Sequence, residues 1–153
     1  MERLIEILRS IIGTDRWLFV AGNGGSAANA SHFVTDLMKS CDIRALSLTD
    51  NTPLITMLAN DYGYEHIFDK QLQRYLRPVD VLLVLSVSGK SHNIIRALDY
   101  ANMTGCRTIA LTGRDGINGL ADLVIQVPDD QPELVEDAHL RILHQIAMEL
   151  RNG

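Results

Sequence analysis

Several stretches of this 153-residue chain hold residue types at spacings that suit chemistry. His32 and Asp36 lie four apart in a segment of helical period, a separation that brings two side chains together on one face, so they can share a metal ion or a proton. A hydrogen-bonded surface pair is the plainer alternative. Near the C-terminus Glu136, His139 and His144 lie among Leu134, Ala138, Leu143 and Ile146. Glu136 and His144 then project about 80° apart, both toward the border of the apolar stripe. A histidine there is either a hydrogen-bonded structural residue or a group that moves protons near neutral pH.

Three further segments suit ligand binding. Gly22-Asn23-Gly24-Gly25-Ser26 follows an apolar run and opens a helical one, where free backbone amides and the helix dipole favour an anion such as phosphate. The alternative is a tight turn needing positive φ, but one such turn rarely needs three glycines. With Ala27 the same residues read as G-x-G-x-x-A, yet Asp36 and Asp42 precede the second strand and Asp50 lies 28 beyond Gly22. The acidic ribose-binding residue of a dinucleotide site is therefore missing, and no nucleotide cofactor is expected. Ser86-Val87-Ser88-Gly89-Lys90-Ser91 contains Gly-Lys-Ser, but Val84 occupies the place of the first Walker glycine. What remains is a hydroxyl-rich helix start, whose serines either cap the helix or hold phosphate. Asn60-Asp61-Tyr62-Gly63-Tyr64, taken alone, reads as a turn closing a helix at Gly63.

These loops need a frame. Short apolar runs at Trp17–Ala21, Ile43–Leu48, Val81–Ser86, Thr108–Thr112 and Leu123–Val127 hardly alternate with polar residues, so each needs cover on both faces. Helices are expected at Glu2–Ile12, Ser26–Met38, Pro53–Leu58, Ile67–Leu76, Ser91–Met103, briefly near Leu120, and at Glu133–Leu150. The alternation predicts an α/β three-layer sandwich: one doubly wound parallel sheet of five strands with helices on both faces, in a single domain over residues 1–153. Ligands of such sheets bind beyond the carboxyl ends of the strands, where the glycine and serine loops fall.

Composition narrows the class. With 46% hydrophobic and 22% charged residues, the chain is neither disordered nor fibrous. A net charge of −5 argues against nucleic acid as a partner. Cys41 and Cys106 form no metal-binding pattern and are expected as buried free thiols. No apolar run reaches the ~18 residues of a membrane span and no signal peptide is evident, so a cytoplasmic location without a membrane partner is expected.

Taken in order, Gly22-Asn23-Gly24-Gly25-Ser26 with His32-Phe33, Asn60-Asp61-Tyr62-Gly63, Ser86-Val87-Ser88-Gly89-Lys90-Ser91, Leu111-Thr112-Gly113-Arg114-Asp115-Gly116 and the Glu136–His144 stretch resemble the sugar isomerase (SIS) domain family, in particular its phosphoheptose isomerases. Each motif is weak alone, but five in order over nearly the whole chain are specific. The resemblance implies a flavodoxin-like sheet and a homo-oligomer, a tetramer rather than a dimer, with active sites between subunits. It further implies aldose–ketose isomerisation of sedoheptulose 7-phosphate and a manno-heptose 7-phosphate through an enediolate, supplying lipopolysaccharide, capsule or another glycan.

By the same resemblance Ser26, Ser86, Ser88 and Ser91 hold the substrate phosphate, Asn23, Gly24, Gly25, Asn60 and Asp61 line the sugar site together with Glu136, and Asp36 and His144 are catalytic. Some relatives carry zinc at positions matching His32, Asp36, Glu136 and His144, so zinc is the expected cofactor. The chain departs from the family pattern at several places. Asp36 replaces a glutamate, which shortens its reach by one methylene, and Glu136 replaces a glutamine. Val87 and Lys90 stand for threonine and asparagine; Lys90 either supplements phosphate binding or points to solvent. The stretch after Asp36 and the N-terminal helical segment are short, which bears on substrate range and assembly. The rival to an enzyme is a non-catalytic SIS module that binds a phosphosugar or a protein, as a related replication-initiation regulator does.

Overall fold

The computed structural model describes residues 1–114, 116–117 and 119–151. Asp115, part of the fourth motif above, lies outside them. Five strands, β1 (Trp17–Gly22), β2 (Arg44–Ser47), β3 (Val81–Ser86), β4 (Arg107–Thr112) and β5 (Leu123–Gln126), alternate with six helices: α1 (Glu2–Arg9), α2 (Gly25–Ser40), α3 (Thr52–Tyr62), α4 (Asp69–Tyr75), α5 (His92–Thr104) and α6 (Pro132–Arg151). All strand pairs are parallel, in the order β2-β1-β3-β4-β5. This is the expected flavodoxin-like sheet with helices on both faces.

Alternate residues of the central strands serve opposite cores, which is why these strands read as continuous apolar runs. Leu18 and Val20 of β1 and Leu83 and Leu85 of β3 pack with Leu4 and Leu8 of α1, Phe33 and Leu37 of α2, and Leu143 and Ile146 of α6. Phe19, Ala21, Leu82 and Val84 face the other way, against Leu58 of α3, Leu72 of α4 and Ile94 and Leu98 of α5. Central β3 is buried at every position, whereas β5 at the edge is only half-buried. Cys41 and Cys106 are free and buried.

Most boundaries shift by a residue or two, and three departures from expectation are larger. Helix α1 stops at Arg9 rather than Ile12, because Ile11 and Ile12 bond back to Leu8 and Arg9 in a tightened last turn and the Ser10 hydroxyl donates to the Ile7 carbonyl at 2.6 Å. Helix α3 runs past Leu58 through Asn60 and Asp61 to Tyr62, so these two are helical, and Gly63 closes the helix at φ 94°. No helix forms near Leu120 among the described residues, where 119–122 make turns and bends. Tertiary bonds take up the polar groups there: Asn102 Nδ2 donates to the Leu120 carbonyl at 2.9 Å, and the Asp122 carboxylate accepts from the Thr108 N–H at 2.9 Å.

Candidate active site

The strand order changes direction between β1 and β3, which opens a crevice beyond their carboxyl ends. Gly22 pairs with Leu85, so the loops after β1 and β3 leave the sheet side by side. They line a cavity of about 260 Å³ with Asn23, Ser26, Ser86, Ser88 and Ser91, and the first turns of α6 add Pro132 and Glu136. A larger cavity, about 590 Å³, opens near Arg16, Asp80 and Arg107 at the opposite ends of the strands and contains none of the chemical motifs.

The smaller cavity has features that suit an anion. Helices α2 and α5 both point their N-termini at it, and neither N-cap residue, Gly24 or Ser91, caps the helix with a side chain. The Ile94 N–H of α5 is taken by Asn93 Oδ1 and the Ala27 N–H of α2 by the Gly24 carbonyl, while the positive dipole ends of both helices stay turned toward the cavity. Gly24 adopts φ 55° and ψ −125°, a conformation suited to glycine, and a Cβ on Gly22 would sit 2.6 Å from the Ser26 backbone. The Ser86 hydroxyl oxygen accepts from the Gly89 N–H at 3.1 Å and that of Ser88 from the Lys90 N–H at 3.2 Å. Each hydroxyl proton stays free to be donated to an oxyanion.

Helices α2 and α6 pack together through Phe33, Leu37, Leu143 and Ile146, and this brings three titratable groups to one point. His32 Nε2 lies 2.9 Å from His144 Nε2, and Asp36 Oδ2 lies 3.5 Å and 3.7 Å from those two nitrogens. One imidazole donates and the other accepts, so the pair can pass a proton as long as one Nε2 is unprotonated. The edges of this triangle match the ~3.3 Å between ligand atoms of tetrahedral zinc, and two histidines with a carboxylate form a known catalytic donor set that leaves a fourth position open. The three groups thus fit a divalent cation. Glu136, the fourth expected ligand, is not in this group: its carboxylate lies against Gly25, and its carbonyl accepts from Asn29 Nδ2 at 2.9 Å.

Comparison with known proteins settles the family. The SIS domain profile matches residues 1–113. The phosphoheptose isomerase of Geotalea daltonii is 42% identical over 148 residues, covering 92% of this chain and 77% of that protein. The solved phosphoheptose isomerase of Neisseria gonorrhoeae superposes with a TM-score of 0.93 at 33% identity, covering 99% of this chain and 85% of that one. That of Francisella tularensis gives 0.93 at 29% identity, with 99% and 84% covered. The chain belongs to the SIS domain family.

Within this SIS domain, Asn60 and Asp61 do not line the cavity; they stand exposed at the end of α3, where Asn60 Nδ2 donates to Asp61 Oδ1 at 2.8 Å. Tyr64, just beyond, does reach the glycine loop, its hydroxyl donating to Asn23 Oδ1 at 2.9 Å. Sequence reading misses Tyr64, and also Asn29 and Asn93, which are 8% and 2% exposed. Polar residues facing the inner side of a helix at its first turns are the signal that would have found the last two. His139 is fully buried, and among the described residues neither ring nitrogen reaches a hydrogen-bond partner. Burial pushes its pKa down, the Thr112 backbone opposing only in part, which favours the neutral imidazole in the interior.

Proposed function

We propose that the chain is a phosphoheptose isomerase that interconverts D-sedoheptulose 7-phosphate and D-glycero-D-manno-heptose 7-phosphate through an enediolate. One observation carries the reading: the anion cavity and the His32–Asp36–His144 cluster lie on the same two helices. Ser26 and His32 are six residues apart on α2, about 9 Å, and Glu136 and His144 eight apart on α6, about 12 Å. A long sugar chain with a terminal phosphate spans such a gap. The phosphate end falls to the helix N-termini and to Ser26, Ser86, Ser88 and Ser91; Asn23, Gly24, Gly25 and Glu136 face the sugar. An acidic protein holds a phosphosugar this way because helix termini supply positive potential locally.

At the other end Asp36 and His144, where no metal occupies their ligand atoms, move protons. One takes the proton from the carbon beside the carbonyl and returns it to the neighbouring carbon, while the other carries a proton between the two oxygens. With zinc bound, its Lewis acidity would take over the work at the oxygens and the second Asp36 carboxylate oxygen would serve as the base. The short Asp36 side chain is already within 3.5 Å of the His32 nitrogen, so the lost methylene does not take the carboxylate out of the cluster. Zinc is the cofactor we assign to His32, Asp36 and His144, where as a Lewis acid it would polarise the substrate oxygens.

The profile match to residues 1–113 and the completion of the same sheet and core by β5 and α6 support one SIS domain over residues 1–153. We further propose a homotetramer, supported by the groove that α1 and α6 expose around Met1, Ile5 and Met148. We assign it to the cytoplasm, feeding heptose into lipopolysaccharide or capsule synthesis; among the described residues no helix is long and apolar enough to cross a membrane.

Proton NMR of sedoheptulose 7-phosphate with the protein in heavy water, with and without zinc, tests the reading. A new aldose anomeric signal with deuterium at carbon two is expected. Silence from folded protein that still binds the sugar phosphate would favour the binding-module alternative. Metal analysis showing none bound, with full activity under chelation, would remove the zinc.

A further inference from the structure

The carboxamide of Asn23 is held by two side chains that come from different elements. Its oxygen accepts from Asn93 Nδ2 at 2.8 Å and from the Tyr64 hydroxyl at 2.9 Å, and its nitrogen donates to Asn93 Oδ1 at 2.9 Å. The orientation of both amides follows from one obligate donor. The Ile94 backbone N–H, 2.9 Å from Asn93, can only donate, so the atom facing it is Asn93 Oδ1. Asn93 Nδ2 is then the donor to Asn23, and the atom of Asn23 that receives it is Oδ1. A carboxamide oxygen has two lone pairs, and both on Asn23 are used; its nitrogen has two protons, and among the described residues one is used.

We infer that Asn93 and Tyr64 are positioning residues that lock Asn23 into presenting a single hydrogen-bond donor to the ligand, and no acceptor. This rests on the isomerase reading of the site. Asn23 lines the cavity while Asn93 is 2% exposed, so the pair is a surface group on a buried mount. A donor fixed before the ligand arrives selects a sugar oxygen with a free lone pair, and it binds that oxygen more strongly as negative charge builds on it, as happens on the way to an enediolate. Tyr64 ties the end of α3 to the same mount. The loop after β1, the first turn of α5 and the turn after Gly63 are thereby set by one amide.

A double-mutant cycle read by turnover of sedoheptulose 7-phosphate tests this. Asn23→Ala should lower kcat about a hundredfold and Asn93→Ala about tenfold, the size of effect expected from a group and its supporting partner. The double variant should match Asn23→Ala alone; losses that multiply would overturn the proposal. Inhibition by inorganic phosphate should stay within about twofold of wild type in Asn93→Ala, since the serines and helix N-termini carry that contact; a parallel fall would mean that the cavity has collapsed and would equally overturn it. Should Asn93→Ala fail to fold, Tyr64→Phe replaces it. Tyr64 is 56% exposed, so only the hydroxyl is lost, and a drop of about threefold that vanishes in the Asn23→Ala background is expected. A wild-type protein with no turnover would instead overturn the isomerase reading. The clamp is then judged on the side-chain amide NMR signals of Asn23, which must shift in Tyr64→Phe and Asn93→Ala; unmoved signals overturn it.

Discussion

His144 and Asp36 stand with His32 in one triangle, and both side chains are partly exposed. His144→Gln and Asp36→Asn should therefore each cut isomerase turnover by about 10² to 10⁴ while leaving the circular dichroism spectrum and melting temperature close to wild type. A loss of turnover accompanied by unfolding would assign them to structure instead. Glu136 is a different case. Its carboxylate borders a cavity otherwise equipped with donors, a like-charge neighbour for any phosphate bound there. Glu136→Gln should tighten inorganic phosphate, measured as a competitive inhibitor, by about threefold, the size of a solvent-screened pair of charges. Weaker binding would mean that this carboxylate organises the cavity rather than opposing the anion.

At the scale of elements, the site depends on how closely the loop after β1 folds onto the start of α2. A Cβ at Gly22 would meet the carbonyl carbon and oxygen of Ser26 at 2.6 Å, and these are backbone atoms of a helix that cannot swing aside. Gly22→Ala should destabilise the protein by about 1–3 kcal/mol in urea unfolding and weaken inorganic phosphate binding, because relief requires moving the N-terminus of α2. Gly105 closes α5 with nothing within 4 Å of its Cβ position, and there only the positive φ of 82° is at issue. Gly105→Ala should cost stability but spare phosphate affinity, which separates a glycine needed for close approach from one needed for a turn.

Across the whole molecule, α6 couples site and core. It carries Glu136 and His144 toward the candidate site and His139 into the interior, where among the described residues it has no hydrogen-bond partner. Burial holds the His139 pKa below its ordinary value of about 6.5, so as pH falls the unfolded chain takes up this proton before the folded one does. The contribution of His139 to stability is therefore complete above about pH 6.5 and declines as pH drops from there toward its folded value. The urea midpoint should fall between pH 7.5 and pH 5.5, and His139→Phe should fall less over the same interval. An equal fall in the variant would place the titration on other groups.

The sheet, most of its helices and the glycine and serine loops after β1 and β3 were legible in the sequence because buried parallel strands need apolar residues on both faces, and because glycine- and serine-rich turns have few structural uses at the end of such strands. His32 and Asp36 could be paired from helix periodicity alone. What periodicity could not supply was any relation between α2 and α6, so the meeting of His144 with that pair, and the turning of Glu136 away toward Gly25, were decided by how the two helices pack. The extent of α3 escaped for a similar reason. Asn60 and Asp61 read locally as turn residues, yet the helix carries on through them until Gly63 ends it. Asn93 and Tyr64 were silent in the sequence since their meaning lies in contacts with Asn23 across 70 and 41 residues of chain. Local residue type fixes which backbone shapes are open and which groups can donate or accept; which of those groups meet depends on contacts between segments far apart in the chain, and those exist only once the chain has folded.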